Sequence, residues 1–218
     1  DMLLAYLVGF EVACAVGDAI STAYFDDLGW HPTGPLGALG AAAAAARLLV
    51  LDVEQTAMAI SLGASQSSGL LQNFGTMTKP LHAGLVGRDG VTAVQLAQLG
   101  LTAGDQILEH PFGFTNVVLG EGIYDLDRMA DNMGKPFRTQ DALMIKKYPC
   151  CGGNHAMLDS LFSMMRDNDF TYDDVADAEI DQSYFSVVML YQEPEDELKG
   201  KFSAKYNVAA ALIDGEIG

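Results

Sequence analysis

The sequence predicts a mainly α protein: an all-helical bundle domain over residues 1–145, followed over 146–218 by the start of a smaller α+β domain. Three observations predict it. Apolar residues recur at helical spacing through most of the first 140 residues, with short Gly- or Pro-containing breaks between the runs. The run Ala41 to Ala46 joins the best helix former to a side chain small enough for neighbouring helices to approach closely. Past Lys146 the texture changes, and β-branched and aromatic residues gather between Ala178 and Tyr191.

Taken in order, Leu4, Leu7, Val8, Glu11 and Val12 define a first helix expected from Asp1 to about Tyr24. Gly29 to Gly34 is a turn cluster. Gly37 to Val50 holds the alanine run and reads as a tightly packed bundle helix. Asp52 caps the next helix, Gln55 completes a capping box, and the helix ends near Leu62 and Gly63. Ser67 to Phe74 reads as a short helix, followed by a Gly/Pro-punctuated loop that carries Lys79 and His82. Asp89–Leu99 and Ala103–Glu109 read as helices, with Gly100 ending the first, and Ile123–Asn132 as another. Lys147 to His155 is a loop, and Asn154 caps a helix running to about Arg166. Ala178–Tyr191 reads as a strand and Glu193–Gly200 as a charged loop. Ser203 caps a last helix that reaches Ile213 and stops at Gly215.

Composition narrows the function. Twelve Lys and Arg face 29 Asp and Glu, a net charge of −17. That balance argues against nucleic acid, whose binding rests on basic patches. It also means that any site for a small acid must be locally basic. The longest apolar stretch, Met2 to Val16, carries Glu11 and is too short for a membrane span. No secretory signal pattern is visible, and three cysteines, Cys14, Cys150 and Cys151, make no disulfide framework. A cytoplasmic protein is expected. The cysteine spacing suits neither zinc nor an iron–sulfur cluster, and no P-loop, Gly-x-Gly-x-x-Gly or Gly-x-Ser-x-Gly motif occurs.

Four histidines and one lysine carry the chemistry. Lys79 lies three residues before His82 in Thr-Lys-Pro-Leu-His-Ala-Gly (78–84). Its ammonium is a compact charge suited to a carboxylate, or a solvated loop cation; the residue alone does not choose. His31, between Trp30 and Pro32, can act as acid or base near neutrality, although a buried histidine bonded to a carbonyl is the commoner reading. His82 could orient Lys79, touch ligand, or serve a structural bond. His155 opens a helix, where the dipole favours a neutral imidazole and nearby anions. His110, beside Pro111, reads as structural.

In their order along the chain, Leu-Ala-Tyr-Leu-Val-Gly-Phe-Glu-Val (4–12), Gly-Trp-His-Pro-Thr-Gly (29–34) and Asn-Phe-Gly-Thr-Met-Thr-Lys-Pro-Leu-His-Ala-Gly (73–84) resemble the MmgE/PrpD family. So do Leu-Glu-His-Pro-Phe-Gly-Phe (108–114), Lys-Tyr-Pro-Cys-Cys-Gly-Gly-Asn-His (147–155) and residues 201–215. The family includes 2-methylcitrate dehydratase, cis-aconitate decarboxylase and iminodisuccinate epimerase. The resemblance implies a helical domain with a smaller lid, a cofactor-free and metal-free site between them, and a homodimer at full length. It implies His31, Lys79 and His155 as catalytic residues; Lys79, His82, Thr78 and Cys151 are the residues expected to bind a small polycarboxylate. The first expectation is elimination of water beside a carboxylate, as by a 2-methylcitrate dehydratase. Decarboxylation and epimerisation are the alternatives within the family, and a non-catalytic module the alternative outside it. The family's upstream Asp-Phe-Asp-Asp-Thr segment is not matched here; Phe25-Asp26-Asp27 is a look-alike in the wrong place, so the chain reads as a central portion of the family's sequence.

Overall fold

A computed structural model describes residues 1–20, 27–120, 122, 124–131, 133–181 and 188–217, which divide into two units. The first comprises Asp1–Gln72 and Lys79–Leu143, the second Asn73–Thr78 and Met144–Gly218. No helix among the described residues is long and apolar enough to cross a membrane.

The first unit is built from α1 (Met2–Asp18), α2 (Thr33–Leu48), α3 (Val53–Ser65), α4 (Thr78–Gln98) and the short α5 (Leu126–Ala130). Helix α1 packs along α2, and α2 against α3. The alanine-rich face of α2 supplies the buried Ala38, Leu39, Ala42, Ala43 and Ala46. Small residues decide how near the helices come. A Cβ at Gly9 of α1 would stand 2.6 Å from the Gly40 carbonyl oxygen of α2 and 2.7 Å from the Ala44 Cβ. A Cβ at Gly90 of α4 would stand 2.5 Å from the Ala41 Cβ and 2.6 Å from the Ala41 carbonyl carbon. Around these contacts, Val16, Leu39, Phe114, Leu119 and Met129 form one apolar core, and Ala46, Ala59, Val94 and Ala97 another.

One buried charge ties α1 to the segment after α5. The Glu11 carboxylate accepts hydrogen bonds from the Gly134 and Arg138 backbone N–H groups, each at 2.7 Å, and from the Arg138 guanidinium at 2.6 Å. Burial alone would push the Glu11 carboxyl up. The donors outweigh it and hold the group below the ordinary carboxylate range.

In the second unit, α6 (His155–Asn168) packs on α8 (Ala204–Asp214) around Tyr148, Cys150, Leu158 and Ala211, with the four-residue α7 (Glu197–Gly200) before α8. Asn73–Thr78 belongs to this unit. The Phe74 ring lies 5.0 Å from that of Phe202, and its carbonyl accepts from the Tyr191 hydroxyl at 2.8 Å. The Ser203 hydroxyl accepts from the Tyr206 N–H, and Gly215, at φ 71°, ends α8.

Several elements depart from the sequence reading. The first helix stops at Asp18, and the expected continuation over 21–24 lies outside the described residues. The capping box of α3 forms as read, with the Gln55 N–H 2.8 Å from the Asp52 carboxylate. Ser67–Phe74 is helical only in the 3₁₀ turn Leu71–Asn73. The loop expected around Lys79 is the first turn of α4, which continues unbroken to Gln98. Pro80, its third residue, removes an N–H that has no intrahelical acceptor, so it is tolerated there. Ala103–Glu109 is a run of turns, and the chain becomes helical again in a single π turn at Thr115–Leu119. Asn154 precedes α6 without a side-chain cap bond. Of the expected strand, residues 178–181 and 188–191 are not strand, and 182–187 lie outside the described residues. Among the described residues, β pairing is confined to the isolated bridges Ile20–Tyr124 and Trp30–Leu70.

The close approach of α1 and α2 makes a paired prediction. Gly9→Ala should cost about 1–3 kcal/mol through overpacking. Gly84→Ala, in α4 where an added Cβ meets nothing within 4 Å, should stabilise by roughly 0.5–1 kcal/mol. Urea denaturation of the two variants checks both signs.

Candidate active site

In the first unit, two backbone devices place the candidate residues. Residues 29–31 pair antiparallel with 69–71: the His31 N–H donates to the Gly69 carbonyl at 3.1 Å and the Leu71 N–H to that of Gly29 at 2.8 Å. The His31 carbonyl accepts from the Gly34 N–H at 2.9 Å, turning the chain into α2. Gly34 is required by close approach, because a Cβ there would fall 1.6 Å from the Ser68 carbonyl oxygen. These bonds fix the His31 backbone immediately before α2.

The second device is α4. Its register brings His82 to His31: the two Nδ1 atoms lie 2.9 Å apart, with ring centroids separated by 5.1 Å. Both rings are buried. Gly69, at φ 121°, takes a backbone conformation that side-chain-bearing residues rarely adopt. Lys79, one helical turn before His82 and half-buried, places its ammonium near enough to act on both imidazoles.

The electrostatics follow from that crowding. His31 is pushed down to about 4, first by burial, then by the Lys79 ammonium and by His82. His82 is lowered by burial and by Lys79. At neutral pH the cluster is two neutral imidazoles beside one ammonium. An ammonium beside two imidazoles can attract an anion, and an arriving carboxylate would raise both imidazole pKa values again.

Thr78, the first residue of α4, donates its N–H to the Thr76 hydroxyl at 3.2 Å. His155 and Cys151 belong to the second unit. His155 opens α6, and its Nε2 stands 3.1 Å from the Tyr148 carbonyl oxygen. A carbonyl only accepts, so this bond puts the ring proton on Nε2 and leaves Nδ1 as the basic atom of the neutral ring. The Tyr148 ring meets His155 edge-on at 5.3 Å, and its hydroxyl donates to the Asp159 carboxylate at 2.7 Å. Lys147 bonds the same carboxylate oxygen. The Cys151 N–H donates to the Lys201 carbonyl at 3.0 Å. Sequence reasoning missed this support of His155; the one available signal was His155 and Asp159 at i, i+4 on a helix. His110 is a structural acceptor, its Nδ1 taking the Phe112 N–H at 3.1 Å. Among the described residues, no three His, Cys, Asp or Glu side chains gather as a metal ligand set.

Comparison with known proteins agrees with the motif reading. Residues 1–127 match the MmgE/PrpD N-terminal domain and residues 148–218 the MmgE/PrpD C-terminal domain. A cis-aconitate decarboxylase-like protein of Aspergillus oryzae is 27% identical over 232 residues, covering 100% of this chain and 48% of that protein. The cis-aconitate decarboxylase of Mus musculus is 27% identical over 226 residues, covering 100% of this chain and 45% of its own length. The cis-aconitate decarboxylase of Homo sapiens is 36% identical over 114 residues, covering 52% of this chain and 24% of its own length. The chain spans about half the length of the relatives it matches throughout. It belongs to the MmgE/PrpD family.

The lowered histidines set a stability window. An unfolded histidine titrates near 6.5 and binds protons that the folded imidazoles refuse. The unfolded chain therefore gains protons first as the medium is acidified. Stability contributed by His31 and His82 should be full above about pH 6.5 and fall steadily as pH drops toward about 4. Urea midpoints measured across that range check it, and a flat profile would contradict the depressed values.

Proposed function

We propose that this member of the MmgE/PrpD family forms part of a lyase site for a small di- or tricarboxylate. Lys79 anchors a substrate carboxylate, and His31 and His155 exchange protons with carbon beside it. His82 supports His31, with Thr78 and Cys151 among the substrate contacts. The observation that carries the reading is the pairing of two neutral imidazoles under one ammonium in a chain so poor in cations.

The chemistry asks for these groups. Loss of CO2 breaks a carbon–carbon bond and leaves its electron pair on carbon, which must then receive one proton. Loss of water takes a proton from carbon beside a carboxylate and returns one to the departing hydroxide. Either path builds charge that a fixed cation stabilises and moves a proton that an imidazole can carry. The names of the relatives favour decarboxylation of a cis-aconitate-like acid. Dehydration of a 2-methylcitrate-like acid is the second reading, drawn from the family's range. Decarboxylation consumes a proton overall and dehydration does not, so a weakly buffered assay separates them.

The anchor role is tested by calorimetry with propane-1,2,3-tricarboxylate, a saturated analogue that can lose neither water nor an allylic carboxyl group. A charge-assisted bond contributes about 1.5–3 kcal/mol, so Lys79→Ala should weaken binding roughly ten- to a hundred-fold. Unchanged binding removes the anchor. Turnover is followed by NMR with cis-aconitate, 2-methylcitrate and iminodisuccinate. No binding and no turnover by the wild-type chain would favour a non-catalytic module instead.

A further inference from the structure

We infer that His31 and His82 work as one proton-holding unit, in which a proton received at His31 Nε2 is matched by transfer of the His31 Nδ1 proton to His82 Nδ1. The inference rests on the reading of His31 as a proton-exchanging group and deepens it by giving His82 a task.

The geometry carries it. Two Nδ1 atoms 2.9 Å apart form a hydrogen bond only if one bears a proton and the other a lone pair. A neutral imidazole has one ring proton, so the ring that accepts at Nδ1 must carry its proton on Nε2. The pair then presents one Nε2 lone pair and one Nε2–H, both directed away from the shared bond. For His31 to receive a proton, its lone pair must be on Nε2 and its resting proton on Nδ1. His82 is then the Nε2–H tautomer.

The step balances without another reactant. A proton leaving substrate carbon bonds to His31 Nε2, while the C–H electron pair stays with the substrate. The Nδ1–H bond of His31 breaks, its electron pair remaining on His31, and the proton bonds to the lone pair of His82 Nδ1. His31 ends neutral with its proton on Nε2, and His82 ends as imidazolium. Run in reverse, the same sequence delivers a proton to carbon. His82 acts through His31 and is a positioning residue that also holds charge.

Lys79 and His82, both on α4, act electrostatically on His31. The segment 68–71 paired with it, Ser-Gly-Leu-Leu, contains no charged or titratable side chain. A carboxylate bound beside the pair would favour its cationic form.

The experiment is ¹⁵N NMR of the histidine rings in the 218-residue chain, without substrate, across pH 3.5–8. The expected result is Nδ1–H on His31, Nε2–H on His82, a scalar coupling between the two Nδ1 nuclei, and one shared midpoint for the first proton. In His82→Asn, whose side-chain oxygen can accept from His31 but cannot take its proton, the first proton has only His31 to occupy, so its midpoint should fall below the shared wild-type value and become that of a lone ring. Both rings in the Nε2–H form, the reverse assignment, or a His31 titration unaltered in His82→Asn would each overturn the inference. If the variant does not fold, the wild-type tautomers and coupling decide alone. None of these readouts needs turnover, so a failed lyase assay and a failed relay remain separate results.

Discussion

Backbone approach between small residues is the constraint on which this chain's chemistry depends. The hydrogen bond between two imidazoles contributes on the order of 1 kcal/mol net, which cannot set the position of two helices. The position is set where Gly9 meets Gly40, where Gly90 meets Ala41, and where Gly34 lies against the Ser68 carbonyl. Helix α2 begins two residues after His31, and α4 carries His82. A side chain at position 90 would therefore separate the imidazoles without touching either. The alanine run is the means by which a weak, directional contact is held at 2.9 Å.

That placement also accounts for the electrostatics. The chain is strongly acidic, yet a lysine is the charged side chain that acts on both His31 and His82. Exposed acids beyond about 10 Å are largely screened at 0.1 M salt, whereas partly buried groups are screened much less. Burial first, and the Lys79 ammonium second, hold both imidazoles neutral. Glu11 shows the converse in the same unit. It is a buried carboxylate kept ionised because two N–H groups and a guanidinium converge on it.

The sequence made the helical character legible wherever a single element decided its own structure. The Asp52 capping box and the Ser203–Gly215 helix are local events, closed within a few residues, and both form as read. Lys79 was misplaced because Pro80 and two nearby glycines weigh as loop signals, while a helix's first turn accepts proline at no hydrogen-bond cost. Ala103–Glu109 has helical composition but is drawn into turns whose carbonyls serve the next segment, as when Ile107 accepts from the Phe114 N–H. The motifs pointed to His31, Lys79 and His82 individually. Their direct contact was not legible, because 51 residues separate the two histidines and only packing brings them together.

The two histidines that the family motifs treat alike, His31 and His155, are physically different groups. His31 bonds through Nδ1 to another titratable ring, so its proton has somewhere to go. His155 bonds through Nε2 to a backbone carbonyl, which fixes the tautomer and can accept no proton of its own. The carbonyl belongs to Tyr148, whose hydroxyl and ring are in turn held by Asp159 and by the edge-on contact with His155. A ring so held keeps one basic atom, Nδ1, in a constant direction. A ring coupled to a second imidazole can instead change which nitrogen is basic as a proton passes. The same side chain is thus a stationary base in one setting and a ring able to reset in the other, and the difference lies in what each nitrogen is bonded to.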